Sequence, residues 1–127
     1  MRLNVLVVDD VPEVPELVAT WLERHGHSVA RASTGAEGSR LIKAQPFDLI
    51  ITDVLMPEVD GLDLIKQAKH QQPNARIMAI SGGGKYMAAT TCMELARSMG
   101  ATTLLPKPFN EAQLMQSVIT ALAGDAA

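Results

Sequence analysis

Five residues of this chain have side chains suited to chemistry and share one placement. Asp9 and Asp10 follow the apolar run LNVLVV, Asp53 follows FDLIIT, Ser81 follows RIMAI, and Lys107 follows TTLLP. Gathered at one point, three carboxylates repel one another, and at least one would have a raised pKa. A hard divalent cation removes that conflict. Mg²⁺ prefers oxygen ligands, keeps several waters and is often shared with a phosphate. The acids therefore imply a metal, and the metal implies a phosphoryl group. A carboxylate can attack phosphorus and form an acyl phosphate. A lysine and the metal can neutralise the charge on the transferring group. Ser81 supplies a hydroxyl for a phosphate oxygen. Taken singly, each residue has a plainer explanation. Asp9 caps a helix, a Ser before glycines makes a turn, and a Lys between Pro106 and Pro108 is solvated. It is the joint pattern, one such group after each of several strands of one sheet, that points to a site.

The elements that must position these groups follow from periodicity. Short aliphatic runs at Leu3–Val8, His27–Ala32, Phe47–Thr52, Arg76–Ile80 and Thr102–Leu105 read as strands. Between them lie segments of helical period. Leu17, Val18, Trp21 and Leu22 mark a first helix, with Pro12 and Pro15 at its start, where proline is tolerated. Thr34 and Glu37 form a capping box for a second, which carries Leu41 and Ile42. Leu62, Leu64, Ile65 and Ala68 mark a third. Met87–Met99 is a fourth, with Gly100 as its cap, and Asn110 caps a fifth carrying Leu114, Met115, Val118 and Leu122. Five βα repeats imply a parallel sheet covered on both faces. Ligands in such a sheet bind beyond the carboxyl ends of the strands, where the five residues stand.

Composition agrees. The chain has 127 residues, 47% hydrophobic and 20% charged, which suits one domain (residues 1–127, with a frayed tail over 124–127). Aromatics are only 3%, so the core is aliphatic and Met, including Met56, Met78, Met87, Met93, Met99 and Met115, reads as adaptable filler. A net charge of −3 with scattered cations argues against nucleic-acid binding. One cysteine, Cys92, excludes an internal disulfide. No run approaches a membrane span, and the N-terminus lacks the pattern of a signal peptide, so a cytoplasmic location is expected.

The stretches VLVVDD (5–10), DLIITDVLMPEVDG (48–61), AISG (79–82) and GATTLLPKPF (100–109) together resemble the receiver domains of bacterial two-component response regulators. The resemblance spans essentially the whole chain. It implies a flavodoxin-like α/β fold, a doubly wound five-stranded parallel sheet of order 2-1-3-4-5. It implies that Asp53 accepts a phosphoryl group from a histidine kinase or phosphotransfer protein. Asp10 would bind Mg²⁺ directly, Asp9 directly or through water, and the backbone carbonyl of Leu55 would complete the shell. Lys107 would pair with the phosphate, and Ser81 would move toward it. The readout would be a shift of the face made by the fourth helix, fifth strand and fifth helix toward an unidentified downstream target. Such a protein is a phosphoacceptor with autophosphatase activity rather than a turnover enzyme, and a monomer or weak phosphorylation-dependent dimer.

The chain also departs from the family pattern. Leu104 stands where an aromatic residue is usual, three before the lysine. Leu55 and Gly83 stand where polar residues would position an attacking water, which implies slow self-dephosphorylation. The segment from Ser81 to Lys107 is a few residues longer than in many receivers and holds Gly82, Gly83, Gly84 and Tyr86. Two other chemistries fit less well. A haloacid-dehalogenase-type phosphatase needs an acid two residues after its first-strand nucleophile, where this chain has Val11 or Pro12. A nucleotide-binding module needs a loop rich in Gly or Ser after the first strand, where this chain has DDVPEVP. A receiver fold kept as an interaction module, with weak or altered switching, is the alternative that Leu104 keeps open. Nothing after the last helix reads as an output domain, so the chain is a stand-alone regulator or a piece of a longer one.

Overall fold

The computed structural model describes residues 2–54, 61–81, 94 and 96–123, the side chains of residues 61 and 62 excepted. Their order is β1 (Asn4–Val8), α1 (Glu13–Arg24), β2 (Ser28–Ala32), α2 (Gly35–Ala44), β3 (Leu49–Asp53), α3 (Gly61–Gln71), β4 (Arg76–Ser81), a helical stretch α4 over residues 96–99, β5 (Thr103–Pro106) and α5 (Glu111–Ala123). The strands form one parallel sheet of order β2-β1-β3-β4-β5.

Each central strand feeds two cores, which is why the strands read as continuous apolar runs. Alternate residues point to opposite faces. Leu6, Val8, Ile50, Ile77 and Ala79 pack with Ile42, Leu64, Ile65 and Ala68 of α2 and α3. Val5, Val7, Leu49, Ile51, Met78 and Ile80 pack with Val18 and Leu22 of α1 and Leu114, Val118 and Ala121 of α5.

Local chemistry sets the helix ends. His27 N–H donates to Leu22 C=O and Gly26 N–H to Glu23 C=O, with Gly26 at φ +90°, so the chain turns out of α1 straight into β2. Glu37 N–H donates to Thr34 Oγ1 at 3.1 Å. The return bond from the Glu37 carboxylate is taken from Ser33 N–H, one residue before the cap. Asn110 Oδ1 accepts from Gln113 N–H at 2.8 Å, and Gln113 Oε1 accepts from Asn110 N–H at 2.9 Å, a reciprocal cap for α5.

Two local readings of the sequence are revised. Asp53 and Ser81 are the last residues of their strands rather than the first after them, because Asp53 pairs with Ile80 and Ser81 with Pro106 in the sheet register. That pairing holds both side chains on the rigid rim. Leu17, expected on the buried stripe of α1, is 47% exposed, while Val18 and Leu22 are buried. Of the methionines, Met78 is buried, Met115 packs against the α1–α5 core, and Met99 is exposed. Met56, Met87, Met93, Tyr86, Cys92, the glycines 82–84, residues 124–127 and most of the expected fourth helix lie outside the described residues.

Candidate functional site

The carboxyl ends of β1, β3, β4 and β5 converge on one rim. Asp9 follows β1 directly and is fully buried, Asp53 and Ser81 are buried at 5% and 1% exposure, and Asp10 faces solvent. Carboxylate oxygens of Asp9, Asp10 and Asp53 all lie within 4.8 Å of one another. Lys107 reaches this cluster from the loop after β5, where its own N–H donates to Ser81 C=O at 2.8 Å. That bond ties the lysine loop to the strand carrying Ser81. The ammonium Nζ sits 2.9 Å from Asp53 Oδ2, as a hydrogen bond, and 2.8 Å from Asp9 Oδ2.

The electrostatics explain the geometry. Burial pushes the Asp9 carboxyl above its ordinary value, and Asp53 adds to that push; the Lys107 contact and the Val11 N–H, 2.9 Å from Asp9 Oδ1, pull the other way without cancelling it. Burial alone would lower the Lys107 pKa, but contacts with Asp9 and Asp53 outweigh it and hold the ammonium above its ordinary value. Lys107 approaches Asp9 Oδ2 off the hydrogen-bond direction. Among the described residues this buried oxygen therefore has a nearby charge but no aligned donor. Such an oxygen, beside two further carboxylates, suits a hard cation, whose bonds to oxygen make little demand on direction. The acidic trio thus fits a divalent ion. The Leu55 carbonyl lies outside the described residues.

Sequence reasoning named each of these residues; the fold brings the carboxylates of Asp9, Asp10 and Asp53 within 4.8 Å of one another, and Lys107 within 2.9 Å of Asp9 and Asp53. Two features were not anticipated. One is that Lys107 bridges two acids, Asp9 and Asp53. The other is an apolar cleft of about 220 Å³ on the far side of the lysine, lined by Val14, Leu17, Val18, Lys107, Pro108 and Phe109. The exposure of Leu17, one of its lining residues, marks it. A larger surface cavity of about 660 Å³ lies at the opposite ends of β1 and β2, around Arg2, His27 and Phe47, away from the acids.

A doubly wound sheet places its ligand site beyond the carboxyl ends of the strands, and here that rim is acidic and lysine-bridged. The model of the response regulator receiver domain matches residues 5–119, and the chain belongs to that family. It is 32% identical over 119 residues to the transcriptional regulatory protein GlrR of Escherichia coli K12, covering 94% of this chain and 26% of GlrR. Among solved structures it resembles a Burkholderia pseudomallei response regulator protein with a phosphorylated aspartic acid, calcium ion and citrate (TM-score 0.80, 32% identity, 90% of this chain and 65% of that one). It also resembles the chemotaxis response regulator CheY4 of Vibrio cholerae (TM-score 0.85, 27% identity, 96% of this chain and all of that one). The chain spans about a quarter to a half of the length of the curated relatives it matches.

Proposed function

We propose that Asp53 is the phosphoacceptor of a magnesium-dependent switch, and that the Lys107 bridge between Asp9 and Asp53 is the observation that carries this reading. A carboxylate oxygen of Asp53 attacks the phosphorus of a phosphohistidine on a histidine kinase or phosphotransfer protein. The P–N bond breaks, imidazole leaves, and an acyl phosphate forms. Lys107, already within 2.9 Å of Asp53, follows the charge from the carboxylate to the phosphoryl oxygens. Asp9, Asp10 and Asp53, with the Leu55 carbonyl, would hold Mg²⁺, which supplies charge neutralisation at the transferring oxygens. Ser81, buried on the neighbouring strand, donates its hydroxyl to a phosphoryl oxygen. Because Lys107 N–H is bonded to Ser81 C=O, movement at either residue is felt at the other and along β5.

The resulting equilibrium shift reaches the α4-β5-α5 face. Leu104 is half-buried against the α2–α3 core and reports that shift by packing alone. With Leu55 and Gly83 unable to orient water, the acyl phosphate persists. The apolar cleft beside Lys107 gives the phosphodonor a dry surface next to the reacting atoms. Among the described residues no helix is long and apolar enough to cross a membrane. The relatives' DNA-directed roles belong to those longer proteins. For this chain we propose protein partners and no direct contact with nucleic acid.

The test is incubation with acetyl phosphate, with and without Mg²⁺, read by intact mass. One added phosphate that requires both Mg²⁺ and Asp53, and is lost in Asp53→Ala, is the expected result. Unmodified wild-type protein, with no magnesium binding, would return the site to an interaction role.

A further inference from the structure

We propose that Trp21 is a positioning residue for Lys107: its ring meets Phe109, two residues after the lysine, and steadies against α1 the loop from which Lys107 reaches Asp53. The proposal rests on the reading of Asp53 as phosphoacceptor. Lys107 Nζ stands 2.9 Å from Asp53 Oδ2 and 2.8 Å from Asp9 Oδ2. A lysine stem is flexible, so the ammonium is placed only as well as the backbone that carries it. An error of about 1 Å near a reacting centre can cost about a hundredfold in rate. What fixes that backbone therefore bears on the chemistry.

On the strand side the loop is tied by Lys107 N–H, which donates to Ser81 C=O at 2.8 Å. On the helix side, the first half of α1 gives it little support. The cleft of about 220 Å³ opens there, between Val14, Leu17 and Val18 of the helix and Lys107, Pro108 and Phe109 of the loop. Further along α1 the gap closes. The Trp21 and Phe109 ring centroids lie 6.3 Å apart at an interplanar angle of 64°, an edge-on arrangement that aromatic pairs prefer. Both side chains are partly buried against the α1–α5 core. One turn on, Glu111 pairs with Arg24 and His25. Those side chains keep much of their water, and exposed ion pairs stabilise little. The aromatic contact is thus the apolar bridge from α1 to the lysine loop among the described residues.

The experiment removes the ring edge. Trp21→Leu keeps an apolar side chain and a good helix former, and Trp21→Phe retains a ring. Phe109→Leu breaks the same contact from the loop side if the first variant does not fold. Circular dichroism establishes folding. One readout is amide exchange at Lys107 N–H relative to Val54 N–H, which donates to Ile80 C=O on β4. In Trp21→Leu the Lys107 rate should rise about two- to tenfold relative to Val54, a local opening that a general loss of stability would not produce. Trp21→Phe should stay near wild type. The other readout is the initial rate of phosphate uptake from acetyl phosphate with Mg²⁺. Trp21→Leu should slow it by a similar factor, but have no effect in a Lys107→Ala background, where the residue it acts through is gone.

A folded ring-deleted variant with an unchanged exchange ratio would overturn the proposal, whatever the phosphorylation result. So would a loss of rate equal in size with and without Lys107. A wild type that takes up no phosphate would overturn the reading of Asp53, and the positioning role with it, while the exchange ratio would still show whether Trp21 steadies the loop.

Discussion

At the scale of single residues, the site is a place where stability has been given up. Asp9 is fully buried with a carboxyl that burial drives upward, and its Oδ2 lacks an aligned donor among the described residues. Asparagine in its place removes a buried charge while keeping the Val11 contact through its amide oxygen. Asp9→Asn is expected to stabilise the metal-free protein at neutral pH by about 1–3 kcal/mol, seen as a higher urea midpoint. An unchanged or lower midpoint would mean that Lys107 already compensates the charge in full. Thr103 offers a comparison away from the site. The residue is 8% exposed, and among the described residues its hydroxyl has no hydrogen-bond partner. Thr103→Val keeps the shape and removes the unmet polar atom, and should stabilise by about 1 kcal/mol. A loss on the same scale would show that the hydroxyl is satisfied in solution.

At the scale of elements, the junctions decide how the rim is held. Gly100 leads into β5 at φ +123°, and a Cβ placed there would collide with the Lys69 side chain on α3. Gly100→Ala should therefore destabilise by about 1–2 kcal/mol, and adding Lys69→Ala should recover only the steric part, since the backbone penalty stays. Full recovery would locate the whole effect in the clash. The turn from α1 into β2 carries a pH dependence of known sign. Burial, then His25, then the N-terminal amine hold His27 below its ordinary value, and its Nδ1 accepts from Leu3 N–H at 3.1 Å. Between the lowered folded value and the ordinary 6.5, the unfolded chain binds more protons at this residue. The contribution is therefore complete above about 6.5 and is lost as the pH falls through that window. The drop in urea midpoint from about pH 7 to about pH 5.5 should be smaller in His27→Asn, whose amide oxygen can still accept from Leu3. Equal drops would assign the dependence to other groups.

At the scale of the whole molecule, the parts of the design that depend on chain order were readable and those that depend on side-chain contact were not. Alternating aliphatic runs and helical periods suffice for a parallel sheet, because each central strand must feed two cores. Placing Asp9, Asp53, Ser81 and Lys107 after successive strands then predicts their convergence. No periodicity could reveal that Asp53 and Ser81 are still paired within the sheet, since that depends on how far β4 and β5 extend beside them. Nor could the helical stripe reveal an exposed Leu17, because it does not say where the loop carrying Phe109 stops covering α1. The same distinction between framework and contact separates folding from ligation at the acidic rim. Asp9 is buried in the framework, whereas Asp10 is exposed, so Asp10→Asn should leave the metal-free stability within about 0.5 kcal/mol of wild type. If Asp10 is a ligand, a divalent ion at a hundredfold excess over its Kd should stabilise wild type by about 2.7 kcal/mol, and the variant by much less at the same concentration. Chelation with EDTA should return wild type to its metal-free midpoint. Equal stabilisation of both proteins by Mg²⁺ would remove Asp10 from the coordination sphere and leave Asp9 and Asp53 to hold the ion, in a site the fold has buried and the lysine has already half neutralised.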